Sequence, residues 1–294
     1  MNDVSLSPTF ARLSLALMIG LVAILLTALP VSAGSIFVTG HDPLWHAQIG
    51  GNKTGARNLA MTGIDFARDG SALPFLFIES KTHPVPSGNF RTAPFLSTAL
   101  GFTAGTDFVH MEASELSALA DFRATLSNYS AIWVASDHGG MLTASELTFL
   151  NDHSADIIDY LNAGGGLFAE AESNQKGLIG ATPRFGFLPF LVASTDFGAA
   201  EISNTVTSFG ASLGLTNSDV NGNFSHNYFS ATGGMNPVDL FNGDSSKILS
   251  LAFRGQVGTT GVTPSLPLPS PILLFSIGLI GMIGARVITR PESR

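Results

Sequence analysis

Three groups of residues in this chain carry side chains able to bind a metal or move a proton, and each follows a short apolar run. His41, Asp42 and His46 come after residues 35–39, Asp137 and His138 after residues 131–136, and Glu170 and Glu172 lie in and just beyond residues 167–171. His226, in a late polar stretch, could join them. Imidazole and carboxylate together are good ligands for zinc, manganese or iron, so a divalent metal is the cofactor this set could hold. The subset expected to do so is His41, His46, Asp137 and His138. No recognised metal signature is present, since the nearest comparison, His-Glu-x-x-His, requires a helix. Asp, His and Gly also turn a chain after a strand. A metal site, a site for another polar ligand and plain structural turns therefore all stay open.

Other chemistry is narrowed by what is missing. The 294 residues contain no cysteine, which excludes disulfides, thiolate zinc sites and a cysteine nucleophile. With 14 Lys+Arg against 22 Asp+Glu the net charge is −8, and a nucleic-acid partner, which needs a basic footprint, is not expected. Ser173 lacks the flanking glycines of a serine elbow, because Ala171 and Gln175 stand in their places. Asp219 to Asn223 begins like a calcium loop, but Phe224 fills the glycine position, so a turn is expected. Gly164 to Gly166 follows a helix rather than opening one, which argues against phosphate binding.

The elements that must position these residues follow from periodicity. Residues 35–39, 73–79, 107–110, 131–136, 167–171 and 247–253 read as strands. Residues 55–68 read as a helix, and Leu116, Leu119, Phe122 and Leu126 mark another over 114–126. Thr143 with Glu146 forms a capping box that opens a third, running to Asn162. Strand, helix, strand in this rhythm predicts an α/β domain: a doubly wound, mostly parallel sheet flanked by helices. In such a sheet ligands sit beyond the carboxyl ends of the strands, where all three polar groups fall. Residues 193–246 are rich in Asn, Ser, Gly and Thr and read as loops and short elements.

Both ends of the chain stand apart. Residues 13–29 are almost unbroken apolar sequence after Arg12, and Val31-Ser32-Ala33 supplies small residues before Gly34. This is a signal-peptide pattern, so residues 1–33 are expected to form a signal helix removed by signal peptidase. Residues 34–258 then form the domain, with 10 Lys+Arg and 20 Asp+Glu. Residues 259–271 are a Pro, Gly, Thr and Ser linker, 272–289 a short transmembrane helix, and 290–294 a basic cytoplasmic tail.

Leu266-Pro267-Leu268-Pro269-Ser270-Pro271, then the apolar run, then Arg286, Arg290 and Arg294 resemble the PEP-CTERM sorting signal of Gram-negative bacteria, in its Val-Pro-Leu-Pro variant. Pro267, Leu268, Pro269, Arg286 and Arg290 carry the match. The resemblance implies an exosortase-type processing enzyme as partner. It also implies export, inner-membrane anchoring through the C-terminal helix, and delivery to the cell surface or extracellular matrix. Within the domain, residues 131–173 resemble the class I glutamine amidotransferase-like fold, which is flavodoxin-like. There the nucleophile elbow reads Gly-x-Cys-x-Gly; here Ala169-Glu170-Ala171-Glu172-Ser173 occupies that region. The family's late His-x-Glu becomes His226-Asn227-Tyr228. The fold carries over and the amidotransferase chemistry does not. The expected function is a non-catalytic surface component with a recognition site at the strand ends. The alternative is a metal-assisted hydrolase acting on surface carbohydrate, and extracellular polysaccharide is the partner either reading would meet.

Overall fold

The computed structural model describes residues 33–257. The expected signal helix, linker with its sorting motif (Pro267, Leu268, Pro269), membrane helix and arginine tail (Arg286, Arg290) lie outside the described residues. Among the described residues no helix is long and apolar enough to cross a membrane.

The chain forms an α/β domain on one ten-stranded mixed sheet. Five strands are parallel: β1 (Gly34–Thr39), β2 (Phe75–Ile78), β3 (Phe108–Met111), β4 (Ala131–Val134) and β5 (Gly166–Ala169), in the order β3-β2-β4-β5-β1. Counted from β2, the first four places follow the flavodoxin-like order 2-1-3-4-5. The fifth place is filled by the N-terminal strand β1 rather than by a last strand.

Alternation along these strands explains why helices cover both faces. Ile36, Val38, Leu76, Ile78, Ile132, Val134 and Leu167 point into an aliphatic core; Phe37, Phe75, Phe77, Trp133 and Phe168 point into an aromatic one. The aromatic face takes α2 (Lys53–Arg68), through Leu59, Ala60, Ile64 and Ala67, and α3 (Ala93–Thr98), through Leu96. The aliphatic face takes α4 (Ala113–Ser117), α5 (Phe122–Leu126), α6 (Ala144–Asp152) and α7 (Ser154–Asn162). Each buried Phe, Leu or Ile contributes about 1.5–3 kcal/mol, so two such faces fix the register of every parallel strand.

Two expected helices are each split. Asp121 accepts from Ala124 N (2.9 Å) and restarts the chain as α5, because a cap inside the periodic run begins a new first turn. The capping box at Thr143 and Glu146 forms, but α6 stops at His153, whose ring donates to the Phe149 carbonyl (2.9 Å) and stacks on Phe149. Pro43 starts an unexpected short helix, α1 (Pro43–Gln48), directly after Asp42.

The larger departure is in residues 193–246, expected as loops and short elements. They supply β6 (Ala193–Ala200), β7 (Thr205–Val206), β8 (Phe224–Ala231) and β9 (Asn236–Leu240), besides the short helix α8 (Ser208–Ser212). β10 (Ile248–Gly255) runs antiparallel to β1 along its whole length, from Gly34↔Gly255 to Thr39↔Ser250. β8 and β9 both pair with β10, β6 with β8, and β7 with β9. β6 is largely exposed on alternate residues and β8 buries Ser225, His226 and Asn227, so neither shows the apolar alternation that marks a strand.

Candidate functional site

The carboxyl ends of β1, β4 and β5 meet at one edge of the sheet, and β8 is drawn across them. His226 N donates to the Gly40 carbonyl (2.8 Å), and His41 bridges to Ser225. A Cβ on Gly40 would lie 1.8 Å from the Asn227 carbonyl oxygen, so only glycine lets the two chains cross here. This crossing carries His226 to Asp42. On α1, His46 stands four residues after Asp42 and therefore on the same helical face. The turn after β4 completes the set with His138, held by Ser136 Oγ, which accepts from His138 N (3.0 Å).

Asp42 is the hub. Its Oδ1 lies 3.1 Å from His46 Nε2 and 3.1 Å from His226 Nε2, while His138 stacks on His226 with ring centroids 3.8 Å apart. One ligand atom each from Asp42, His138 and His226 lies within 4.8 Å of the others. Burial pushes the Asp42 carboxyl up, but the imidazoles of His226 and His46 outweigh it and hold the group well below the carboxylate range. Burial lowers His46, and the Asp42 carboxylate more than reverses that. His138 is pushed down to about 4, by burial first and by neighbouring His226 second, so it is neutral at pH 7 with a free lone pair. These residues border an open cleft of about 440 Å³ shared with Trp45, Lys176 and Phe224. A larger hollow of about 580 Å³ lies beside Leu116, Phe122 and His153, but that histidine is already bonded to Phe149.

The other sequence candidates are held elsewhere. His41, expected in the metal set, is clamped between Glu201 Oε1 (2.5 Å) and Asp239 Oδ2 (2.9 Å). Burial lowers its pKa, and the two carboxylates overcome that and raise it to about 10, so both ring nitrogens are occupied as donors. Asp137, also expected in that set, accepts from Ser173 N (2.7 Å) and Asn174 N (2.5 Å); burial raises it to about 6. Neither His41 nor Asp137 lines the cleft. Glu170 accepts from Trp133 Nε1 (3.0 Å) and Glu172 from Phe185 N (2.5 Å); burial raises both carboxyls well above their usual range. These two tie the end of β5 to its surroundings. The Ser173 hydroxyl is bonded to Asp137 (3.3 Å) rather than to an imidazole, so it lacks the base a serine nucleophile needs. Asp219 caps its own turn by accepting from Thr216 N (2.8 Å).

The structure adds residues the sequence did not single out: Glu201 and Asp239 around His41, and Trp45, Lys176 and Phe224 around the cleft. Only Trp45 had a usable signal, since Asp42-Pro43 is a helix start that places Trp45 and His46 in the first turns. No family model matches this chain, and no curated protein does.

Proposed function

We propose that this protein is an exported, envelope-anchored binding protein whose α/β domain takes a polar ligand, of saccharide type, in the cleft at the strand ends. One observation carries the reading. Among the described residues, thirteen buried side-chain N and O atoms lack a hydrogen-bond partner, and six of them belong to Asp42, Trp45, His46, His138 and His226. An unmatched buried polar group costs about 1–3 kcal/mol, so such a concentration at one cleft marks a place where a ligand supplies the partners. The half-buried Trp45 and exposed Phe224 add apolar faces on which a sugar ring can lie. Export and anchoring rest on the two terminal patterns, and amidotransferase chemistry is left out because no thiol exists to carry it.

Melting curves of wild type and His138→Ala across a panel of polysaccharide fragments test the cleft. A ligand at 100 times its Kd stabilises by about 2.7 kcal/mol, or roughly 5–10 °C for a domain of this size. The shift is expected in wild type and not in the variant; identical curves throughout would remove the reading. N-terminal sequencing of the surface form is expected to begin at Gly34, and retention of Met1 would refute export by cleavage.

A second reading, metal-assisted hydrolysis of surface carbohydrate, is favoured by the Asp42, His138 and His226 trio. Three protein ligands would leave coordination positions open for water and substrate. It predicts saccharide cleavage that a chelator abolishes.

A further inference from the structure

We infer that Asp42, His138 and His226 bind one divalent transition-metal ion of the zinc class, with His46 beside the shared carboxylate. The inference rests on the cleft reading for its location and names the first ligand the cleft takes.

The contact between Asp42 and His226 lacks the geometry of a hydrogen-bonded ion pair. Asp42 Oδ1 and His226 Nε2 are 3.1 Å apart, close enough for a hydrogen bond, yet both atoms are without one. In a simple pair the N–H would point at the oxygen, as it does where His41 meets Asp239. Here the two atoms lie close without meeting hydrogen-bond geometry, which leaves both available to a third group. Two donors 3.1 Å apart and each about 2.1 Å from an ion would subtend roughly 95° at it, within the range that zinc-class sites adopt. His226 has both ring nitrogens buried and unpaired, and His138 has Nδ1 so. A network meant to close on itself would not leave three imidazole nitrogens empty beside a carboxylate.

The donor set selects the ion. Two imidazoles and a carboxylate suit zinc and its transition-metal neighbours, whereas calcium and magnesium require oxygen ligands in numbers absent here. His46 acts from outside: its Nε2 is 3.1 Å from the same Asp42 oxygen, an electrostatic contact that favours the carboxylate's charged form. Separations of up to 4.8 Å within the trio exceed the roughly 3.4 Å between ligands of a tetrahedral ion with bonds of about 2.1 Å. Closing on the ion therefore needs a movement of up to about 1.4 Å, and His138, half-buried and followed by Gly139 and Gly140, is the ring placed to make it.

The test is isothermal titration of the purified full-length protein with zinc, cobalt, magnesium and calcium chlorides, with cobalt spectra as a second readout. Wild type is expected to take one zinc or cobalt ion per chain and neither magnesium nor calcium. Losing an outer-shell partner costs about 10–100-fold in affinity, so His46→Ala should weaken zinc by about tenfold. His138→Ala, His226→Ala and Asp42→Asn should each weaken it by at least about 100-fold. His83→Ala and His153→Ala should leave it unchanged. If Asp42→Asn fails to fold, His138→Ala, at the half-buried ring, carries the test. Absence of zinc and cobalt binding to folded wild type, or equal binding by the His138 and His226 variants, overturns the inference. If neither metal binds but a saccharide shifts wild type and not His138→Ala, the metal site falls and the cleft reading stands. If zinc binds as described and no saccharide does, the metal site stands and the saccharide reading falls.

Discussion

Gly139 offers a sharp test of how the site is assembled. Its φ is +84°, a region that L side chains rarely adopt, and an added Cβ would lie 2.4 Å from Asp42 Oδ2 and 2.8 Å from Trp45 Cγ. Trp45 Cβ is also only 3.0 Å away, so the indole cannot simply swing clear. Gly139→Ala thus incurs two costs. The left-handed conformation costs about 1–2 kcal/mol, and overpacking a filled site about 1–3 kcal/mol. Gly70 separates them: its φ is +77° and a Cβ there would meet nothing within 4 Å. Gly70→Ala should lose only the conformational part, and the change in unfolded-chain entropy is common to both variants. Urea unfolding should therefore rank Gly139→Ala about 1–3 kcal/mol below Gly70→Ala, roughly 2–12 °C in Tm. Because the loop would move away from Asp42, zinc affinity should fall in Gly139→Ala and hold in Gly70→Ala. Two variants of equal stability, within about 0.5 kcal/mol, would refute the close packing of His138's loop on Asp42 and Trp45.

Two further outcomes follow from buried charges. His41→Ala leaves Glu201 and Asp239 facing each other without the imidazolium, with Ser225 Oγ (3.0 Å) still donating to Glu201; a loss of about 3–5 kcal/mol is expected in urea unfolding, and less than about 1 kcal/mol would contradict the clamp. Glu79, buried at the end of β2, has its carboxyl raised from 4.5 to about 7 by burial, which outweighs the hydrogen bonds it accepts from Thr92 and Ala93. Between these values the folded chain keeps a proton the unfolded chain has lost, so this group's contribution is complete below about pH 4.5 and is lost as pH rises to about 7, a change of about 3 kcal/mol. Glu79→Gln should remove this share of the pH dependence and leave that of Asp137, Glu170 and Glu172, whose carboxyls burial also raises, and an unchanged pH profile would rule Glu79 out as a source.

The parallel half of the fold was legible because its strands bury both faces, and Phe75 to Ile78 or Ala131 to Val134 cannot be read otherwise. The strand ends were legible for the same reason, since a run of apolar residues that stops at His41-Asp42 or Asp137-His138 announces where the sheet edge lies. Of the antiparallel half, β10 was legible as the apolar run 247–253, while β6 to β9 were hidden by polar residues. Ser225, His226 and Asn227 are buried polar residues on β8 that meet groups far away in sequence, and they erase the alternation that would have marked the strand. Partners such as Glu201 and Asp239 lie 160 and 198 positions from His41, beyond any local pattern. Hence sequence spacing placed His41 with the candidate metal ligands, while the fold gave it two carboxylates and brought Asp42 and His226 together instead.

The pairing of the first and last strands puts both ends of the described chain at the end of the sheet opposite the cleft. β1 runs toward the cleft and β10 runs back from it, so Gly34 and Gly255 are neighbours at the far end of the sheet. There Asn162 grips the departing chain, donating to the Val257 carbonyl (3.0 Å) and accepting from Val257 N (2.9 Å). A tether beyond Val257, as proposed, would leave the domain from the end opposite the cleft. Under the proposed anchoring, the Asp42 cleft would lie at the end of the domain remote from the tether, and a cut before Gly34 would fall at the tether's own end.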